Sequence, residues 1–533
     1  MSEAVWNLVI VLGLVYYIQV VFDSWERPLV RTKYGWVRGI RTKAYDAFLG
    51  IPYGRVNESN PFGAPSPIGP YNGTFEADDD SKICPHVEEY YKIPVGTLQC
   101  LNLHIYLPRK GGQLGKLPVL VYIFGGQFRI GHSGSAEFQT DYLVAHDVII
   151  VKFDYRSGMY GFLCLGTPEI PGNQGLKDQV LALRWVKENI EHFGGDAERI
   201  TIFGHSSGSM CLDFHVRTNP ELFNQAILQS GTAIIPGGID EGNRTIPITV
   251  AKRLGHSPRD LEDALEFLKT RDVFDVAIAS VDQKFRPCIE KSYPGVKAYL
   301  TKHPMFLKPD LSGKNVVIGV AIDEYVEKIC LPAYQLYSKD VFKININFEF
   351  DIDDDDVIDD VKQFYVGNEE GDHIRRALKF MGDFYFNYQM CKTVDMYFDY
   401  GAEKVYQYIF SYNGDRNMMK VMKNITNCNT ATHGDDIGYI FKVSFMDKPL
   451  TKDDQLVIDR MTSMWTNFAK FGHPIVEKNN LFPTKWLPST KTYKQYLVIN
   501  KDIKMDDELL KNKMSFWYEF YKKYERFLKY KKR

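Results

Sequence analysis

The stretch Arg199-Ile-Thr-Ile-Phe-Gly204-His205-Ser206-Ser207-Gly208-Ser209-Met210 is a β-branched run that breaks into Gly-x-Ser-x-Gly and then resumes with residues compatible with a helix. The pattern predicts a strand, a sharp turn and a helix, with Ser206 at the tip of the turn. A serine in that position needs small residues two places away on either side, because a Cβ there would collide with the turn. Ser206 is therefore the candidate nucleophile.

Short apolar runs and helical patterns alternate around this stretch. Strands are predicted at 119–124, 148–153, 225–228, 315–320 and 405–410, and a helix is predicted at 177–192 from the period of its apolar residues. Runs that are apolar throughout are typical of strands buried on both faces. The alternation predicts a doubly wound α/β fold, in which a mostly parallel central sheet carries helices on both faces and the site lies at the carboxyl ends of the strands.

A serine nucleophile needs a base, a carboxylate that orients the base, and preorganised hydrogen-bond donors for the tetrahedral intermediate. His433 lies in a turn-rich segment just before an apolar run and is the candidate base. Glu324 follows the strand at 315–320 and is the candidate acid, with Asp323 as the alternative. The loop at 124–128 follows another strand and contains two glycines where backbone amides must face a ligand. The remaining histidines after Ser206 are interpreted as surface or helix-end residues: His215, His256, His303, His373 and His473.

Composition limits the classes of function. The chain has 533 residues, 44% of them hydrophobic and 25% charged, which is typical of a globular protein with a sizeable core. A net charge of −2 gives no electrostatic basis for nucleic-acid binding. The sequence contains no linker, so residues 26–533 are interpreted as a single domain. The acidic run at 351–360 is interpreted as a solvated helix start, since it lacks the glycine and terminal glutamate of a calcium loop.

The N-terminus indicates the secretory pathway. Residues 4–22 are apolar apart from Asn7 and Gln19, so residues 1–22 are interpreted as a signal peptide or an N-terminal signal anchor. The protein is then secreted, or retained in the endoplasmic reticulum lumen or at a membrane if the segment is not cleaved. A terminal helix is expected within 511–533. Four Asn-x-Ser/Thr sequons agree with this compartment, at Asn57, Asn72, Asn243 and Asn424.

Eight cysteines occur in a chain expected to meet an oxidising compartment. Cys84 and Cys100 are close in sequence with turn residues between them, and a disulfide is predicted there. Apolar or helical surroundings predict buried thiols at Cys164, Cys211 and Cys288. The state of the other cysteines stays open: Cys330, Cys391 and Cys428.

Further segments resemble the type-B carboxylesterase/cholinesterase family over roughly residues 28–521. They are Tyr155-Arg156, Gly161-Phe162-Leu163, Pro171-Gly172-Asn173-Gln174-Gly175-Leu176-Lys177-Asp178-Gln179, Ala182-Leu183-Arg184-Trp185-Val186, Phe193-Gly194-Gly195-Asp196, Ala226-Ile227-Leu228-Gln229-Ser230-Gly231 and Trp465-Thr466-Asn467-Phe468-Ala469-Lys470. The resemblance implies the α/β-hydrolase fold, with no metal or cofactor. It also implies a disulfide between Cys84 and Cys100 and a structural pair between Arg156 and Asp178.

The resemblance implies a role for each site residue. Ser206 is the nucleophile, Glu324 the acid and His433 the base, in agreement with the assignment from the residues alone. The oxyanion amides are implied to come from three residues: Gly126, Gln127 and Ser207.

The chain also departs from the family pattern. Gln127 replaces the third glycine of the oxyanion loop, Phe124 stands where many members have histidine, and His205 stands where many have glutamate. Tyr325 follows Glu324 in place of glycine, and Leu98-Gln99 replaces an acidic pair. The segment 85–99 contains Tyr90 and Tyr91 but no tryptophan, so the chain resembles the carboxylesterases more than the cholinesterases.

Two functions follow from these observations. The first is a secreted serine carboxylic-ester hydrolase that acts on small hydrophobic esters through an acyl-serine intermediate. The alternative is a catalytically weak or silent binding protein of the neuroligin kind. Because silent members typically lose the serine or the histidine, the presence of both favours the hydrolase.

Overall fold

The computed structural model describes residues 27–89, 92–109, 115–325, 340–352, 355–367, 372–426 and 428–531. The predicted signal segment at 1–22, Tyr90, Tyr91 and Cys330 lie outside the described residues. No helix among the described residues has the length and apolar character needed to cross a bilayer.

Within the described residues, a central sheet of eleven strands organises the chain, and its strands are numbered here in chain order. They are β1 Ile40–Arg41, β2 Tyr45–Pro52, β3 Asn102–Pro108, β4 Leu117–Ile123, β5 Ile149–Phe153, β6 Gly195–His205, β7 Gln225–Gln229, β8 Asn315–Ala321, β9 Lys404–Phe410, β10 Tyr496–Ile499 and β11 Lys504–Asp506. The spatial order is β1-β2-β3-β5-β4-β6-β7-β8-β9-β10-β11. Shorter strands lie outside this sheet: Leu29–Thr32, Gly35–Arg38, Gly54–Arg55, Ser66–Pro67, Phe75–Glu76, His86–Val87, Pro94–Val95, Phe138–Gln139 and Lys442–Val443.

The strands from β5 across to β10 are parallel, and the outer pairs at both edges are antiparallel. Ile123 at the end of β4 pairs in register with Gly204 of β6, which in turn pairs with Leu228 of β7. The carboxyl ends of the central strands therefore meet at one edge of the sheet, where α/β folds place their sites.

Helices fill the connections. They are α1 Asp141–Val144, α2 Gly158–Phe162, α3 Gln174–Asn189, α4 Ser207–Thr218, α5 Ile246–Arg253, α6 Leu261–Lys269, α7 Val273–Ala279, α8 Val341–Glu349, α9 Asp355–Tyr365, α10 His373–Gly382, α11 Tyr388–Asp399, α12 Met418–Met422, α13 Lys452–Phe471 and α14 Lys511–Lys523. A π-helical turn at Asp383–Asn387 joins α10 to α11. Short 3-10 turns lie at Ile190–Phe193, Pro220–Leu222, Pro304–Phe306, Asp435–Tyr439, Glu525–Phe527 and Lys529–Lys531.

The predicted α/β architecture is confirmed. Each predicted strand overlaps an observed strand of the parallel region, and the predicted helix at 177–192 falls within α3 and the 3-10 turn that continues it. Strand β4 is buried along its whole length, which explains its uniformly apolar sequence. The expected terminal helix is α14, whose Trp517 is fully buried. Helix α9 begins within the acidic run at 351–360, as predicted.

The cysteine predictions were partly wrong. Cys84 and Cys100 form a disulfide as predicted, and Cys211 is a buried thiol. Cys164 and Cys288, predicted as buried thiols, instead form a second disulfide across 124 residues of sequence. Asn173 holds this bridge in place: its Nδ2 donates to the carbonyl of Cys288 at 2.8 Å, and its Oδ1 accepts from the Cys288 amide at 2.8 Å. The residues around Cys164 and Cys288 are apolar because the disulfide is buried. An apolar neighbourhood in the sequence is equally typical of a buried disulfide and of a buried thiol. Cys391 and Cys428 are buried thiols.

The implied ion pair between Arg156 and Asp178 is present and fully buried. The guanidinium donates to both carboxylate oxygens at 2.7 and 2.9 Å, and its remaining donor nitrogen binds the carbonyls of Pro61 and Gly63 at 3.0 and 2.8 Å. A buried ion pair is tolerated when its other donors are also satisfied, as they are here. Gln99, in place of the family's acidic pair, forms neutral hydrogen bonds with both main-chain groups of Val56.

Two buried aspartates anchor the segment that follows His433. Asp435 accepts hydrogen bonds from the Thr432 amide at 2.8 Å and from Asn417 Nδ2 at 2.9 Å. Asp436 Oδ2 accepts from Gln229 Nε2 at 2.8 Å, while its Oδ1 is buried without a hydrogen-bond partner among the described residues. Burial raises the pKa of both carboxyl groups to about 6.

This burial predicts a pH dependence of stability. Asp436 ionises at about 6 in the folded chain and at about 3.9 when unfolded, so its contribution to the free energy of unfolding is lost as the pH rises through this window. Asp436→Asn keeps an acceptor for Gln229 but cannot ionise. The stability of wild type relative to the variant should therefore fall between pH 4 and 6 by up to about 3 kcal/mol, measured by urea unfolding. Asp447→Asn, at an exposed position, is the control. If the free energy of unfolding depended on pH in the same way in wild type and in Asp436→Asn, the prediction would be contradicted.

Candidate active site

Ser206 lies at the tip of the predicted turn between β6 and α4. Its backbone has φ of 57°, an uncommon conformation for a serine, and its amide donates to the carbonyl of Gln229 at 2.9 Å. A Cβ on Gly204 would lie 2.4 Å from the carbonyl oxygen of Ile123, and one on Gly208 would lie 2.2 Å from the same atom. Both glycines are therefore required by the close approach of β4 to the turn.

The structure brings Ser206, His433 and Glu324 together, although 227 residues separate Ser206 from His433. His433 Nε2 lies 2.8 Å from Ser206 Oγ, and His433 Nδ1 lies 2.6 Å from Glu324 Oε2. The imidazole thus bridges the hydroxyl and the carboxylate in one hydrogen-bonded chain. A base held in this way takes the serine proton through one ring nitrogen while the carboxylate fixes the other.

Glu324, rather than its neighbour Asp323, faces His433. Its second oxygen accepts from Ser230 Oγ at 2.6 Å and from the Ala321 amide at 2.7 Å, so the buried carboxylate is fully hydrogen-bonded. Ser230 directly follows β7, within a segment quoted for the family resemblance, but the sequence reasoning gave it no role. The sequence feature that could have identified Ser230 is its position at the end of a predicted strand, where α/β folds place their sites.

The loop after β4 carries the predicted oxyanion residues. Gly126 has φ of 135° and Gln127 has φ of 59°, which turns the main chain sharply beside Ser206. The Phe128 amide donates to Ser207 Oγ at 3.3 Å and ties this loop to the first turn of α4. Within the described part of the chain, the amides of Gly126, Gln127 and Ser207 donate no hydrogen bond. An oxyanion hole needs amides that are free in this way.

Gln127 is exposed to solvent and also lines the cavity onto which Ser206 opens. Its Oε1 accepts from Arg129 Nη2 at 3.1 Å, and its main-chain carbonyl accepts from Arg286 Nη1 at 3.0 Å. The carboxamide is thus engaged by an arginine beside it in the same loop. Phe124, the other departure in this loop, is buried and stacks on Tyr155 with ring centroids 4.2 Å apart, so it serves as a core residue.

His205 packs directly against the base. The two imidazole ring centroids are 4.5 Å apart, and His205 Nε2 is buried without a hydrogen-bond partner among the described residues. Burial, together with the neighbouring His433, holds the pKa of His205 well below its ordinary value. His205 therefore places a neutral ring where many members of the resembled family have a carboxylate.

Ser206 and His433 open onto a cavity of about 190 Å³. Its lining includes three methionines and the aromatic residues Tyr122, Phe124 and Phe138, together with polar and charged residues such as His86, His132, Glu137 and Lys423. None of the five other histidines after Ser206 lines it. His215 lies in the last turn of α4, consistent with the helix-end interpretation, but it is fully buried and bonded to Gln179 and Tyr299. The described residues contain no cluster of three or more His, Cys, Asp or Glu side chains arranged to hold a metal ion.

Comparison with known proteins identifies the family of the chain. Residues 26–517 match the model of the Carboxylesterase family. The chain is 30% identical to juvenile hormone esterase of Tribolium castaneum over 87% of this chain and 88% of the relative. It is also 30% identical to bile salt-activated lipase of Rattus norvegicus over 92% of this chain and 84% of the relative.

A solved structure supports the fold. The crystal structure of juvenile hormone esterase from Manduca sexta, with OTFP covalently attached, superposes with a TM-score of 0.80 at 24% identity. The match covers 93% of this chain and 100% of that chain. At this identity the likeness establishes the architecture, and the family match together with the esterase relatives establishes the class of protein. The chain therefore belongs to the carboxylesterase family and is a carboxylic ester hydrolase with the α/β-hydrolase fold.

Proposed function

We propose that this chain is a secreted serine hydrolase that cleaves small hydrophobic carboxylic esters through an acyl-serine intermediate. The observation that carries the proposal is the continuous hydrogen-bonded chain from Ser206 through His433 to Glu324. A silent binding protein has no need of a serine in a left-handed conformation or of an imidazole bonded on both sides. This geometry favours catalysis over the neuroligin-like alternative.

The residues support a two-step reaction. Ser206 Oγ attacks the ester carbon while His433 accepts its proton, and the amides of Gly126, Gln127 and Ser207 stabilise the oxyanion. His433 then gives that proton to the alcohol oxygen as the bond between the ester carbon and the alcohol breaks, which leaves the acyl group on Ser206. Water attacks this acyl-enzyme with the same base, and the acid is released. The chemistry requires neither a metal nor a cofactor.

The compartment is part of the same proposal. The apolar segment at 4–22 would direct residues 26–533, a single domain, into the secretory pathway, with membrane attachment only if the segment is not cleaved. The side chains of Asn57, Asn72, Asn243 and Asn424 are all exposed, so each is accessible to glycosylation. The relatives are named as a juvenile hormone esterase and a bile salt-activated lipase, so the family does not assign the substrate.

Ser206→Ala tests the proposal directly. Because the three side chains act as a unit, kcat for 4-nitrophenyl butyrate should fall by about 10⁶-fold. An organophosphate should label Ser206, as located by mass spectrometry of the digested protein. Ser312→Ala, an exposed serine on a loop before β8, should hydrolyse the ester as wild type does. Labelling of another residue, or full activity of Ser206→Ala, would remove Ser206 from the mechanism.

His205→Glu tests the electrostatic setting of the base. A carboxylate placed beside His433 favours its protonated form, so the acid limb of the kcat/KM profile should move to higher pH. His205→Gln introduces no charge and should leave the limb where wild type has it. The measurement is kcat/KM between pH 5 and 9 for one ester. Identical acid limbs in wild type and His205→Glu would show that the two groups are not coupled.

Gln127→Gly tests the departure in the oxyanion loop. The carboxamide is engaged by Arg129, so we expect acetate esters and esters of bulky acids to respond equally to its removal. A larger gain in kcat/KM for bulky acyl groups would instead show that the side chain occludes the acyl side of the pocket. Slower deacylation alone, seen in pre-steady-state kinetics, would show that the carboxamide positions water.

A further inference from the structure

Helix α12 places three methionines on one wall of the cavity that contains Ser206 and His433. Met418, Met419 and Met422 all line this cavity. At 100° per residue these positions fall within an arc of about 100°, so they share one face of the helix. Lys420 is buried on another side, and Val421 is 37% exposed to solvent.

The methionine helix is fixed to the segment that carries the base. Asn417, at the start of α12, donates to Asp435 at 2.9 Å, and the Lys420 amide donates to the same carboxylate at 3.3 Å. Asp435 also accepts from the Thr432 amide, one residue before His433. One carboxylate therefore joins α12 to the His433 loop. The methionine wall keeps its position relative to the imidazole.

Met419 lies directly beside the loop of the base. A Cβ built on Gly434, the residue after His433, would be 2.9 Å from Met419 Cγ. Since His433 must give its proton to the departing alcohol oxygen, the alcohol part of an ester lies on the His433 side of Ser206. The methionine wall thus borders the space that the alcohol occupies.

The lining of this cavity is mixed in polarity. It includes His86, His132, Glu137 and Lys423 as well as the methionines, and His132 and Glu137 are 3.4 Å apart. An apolar alcohol chain gains favourable contact with the methionines, whereas the charged groups offer it no comparable contact. Methionine is unbranched and adapts its shape to its neighbours, so a wall of three thioethers accommodates flexible chains of different lengths.

We propose that Met418, Met419 and Met422 form the apolar wall of an alcohol subsite, and that the preferred substrates are esters of flexible, unbranched aliphatic alcohols. This inference rests on the proposed function and names its substrate class. It places the selectivity of the enzyme in the alcohol part of the ester. Each methylene added to the alcohol gains apolar contact with the wall.

Two ester series separate the alcohol part from the acyl part. The alcohol series is ethyl, butyl and hexyl acetate, and the acyl series is ethyl acetate, butanoate and hexanoate, with kcat/KM measured by titration of the released acid. For wild type we expect kcat/KM to rise about twofold to fourfold per methylene of the alcohol. Met419→Gln keeps the length of the side chain but makes it polar, and it should reduce the hexyl-to-ethyl acetate ratio by about fivefold or more.

Three further variants complete the experiment. Met419→Leu keeps an apolar side chain and should retain the wild-type alcohol ratio within about twofold. Met422→Gln is a second test of the same wall and should lower the ratio as Met419→Gln does. Met505→Ala, on the edge strand β11, removes a methionine outside the cavity and should leave the ratio unchanged.

The outcomes are distinct. An unchanged alcohol ratio in both Gln variants, or a change confined to the acyl series, would overturn the methionine wall. Equal wild-type rates along the alcohol series would also overturn it, while the proposed function stands. If wild type hydrolysed neither series nor 4-nitrophenyl butyrate, the proposed function itself would fail, and the alcohol subsite with it.

Discussion

The close approach of β4 to the turn after β6 is the constraint on which the rest of the site depends. The carbonyl of Ile123 lies so near Gly204 and Gly208 that neither position has room for a Cβ. This packing holds Ser206 in a left-handed conformation, a strain of about 1–3 kcal/mol that surrounding structure must offset. As a result, the Ser206 hydroxyl is held at the sheet edge where the loop at 124–128, Glu324 and His433 converge.

Buried polar groups maintain that convergence. Glu324 is satisfied by Ser230 and the Ala321 amide as well as by His433, so the carboxylate is fixed before any substrate binds. Asp435 binds both the His433 loop and the methionine helix. These contacts are costly to lose, because a buried carboxylate without its donors is strongly destabilising. The catalytic geometry and the folding of this region therefore rely on the same hydrogen bonds.

Much of this arrangement was predictable from local patterns. The elbow motif placed Ser206 between strand and helix, and uniformly apolar runs located the parallel strands other than β10 to within a few residues. Glu324 and its neighbour Asp323 were both candidates for the acid because they follow a predicted strand. The predictions went wrong where the outcome depended on partners distant in sequence, as for Cys164 and Cys288, whose bridge spans 124 residues. Apolar surroundings indicate burial of a sulfur and carry no information about whether a second sulfur is adjacent.

The sequence by itself determined most of the central parallel strands, the candidate nucleophile and the residue types available as acid and base. These features depend on short-range periodicity and on the chemistry that a serine nucleophile requires. Only the tertiary structure decided that Glu324 rather than Asp323 faces His433, that Gln127 is engaged by Arg129, and that His205 packs as a neutral ring against the base. It also decided that three methionines share the cavity of Ser206. Side-chain direction at the end of a strand or in a loop is set by packing against elements from elsewhere in the chain, and a local pattern does not encode those contacts.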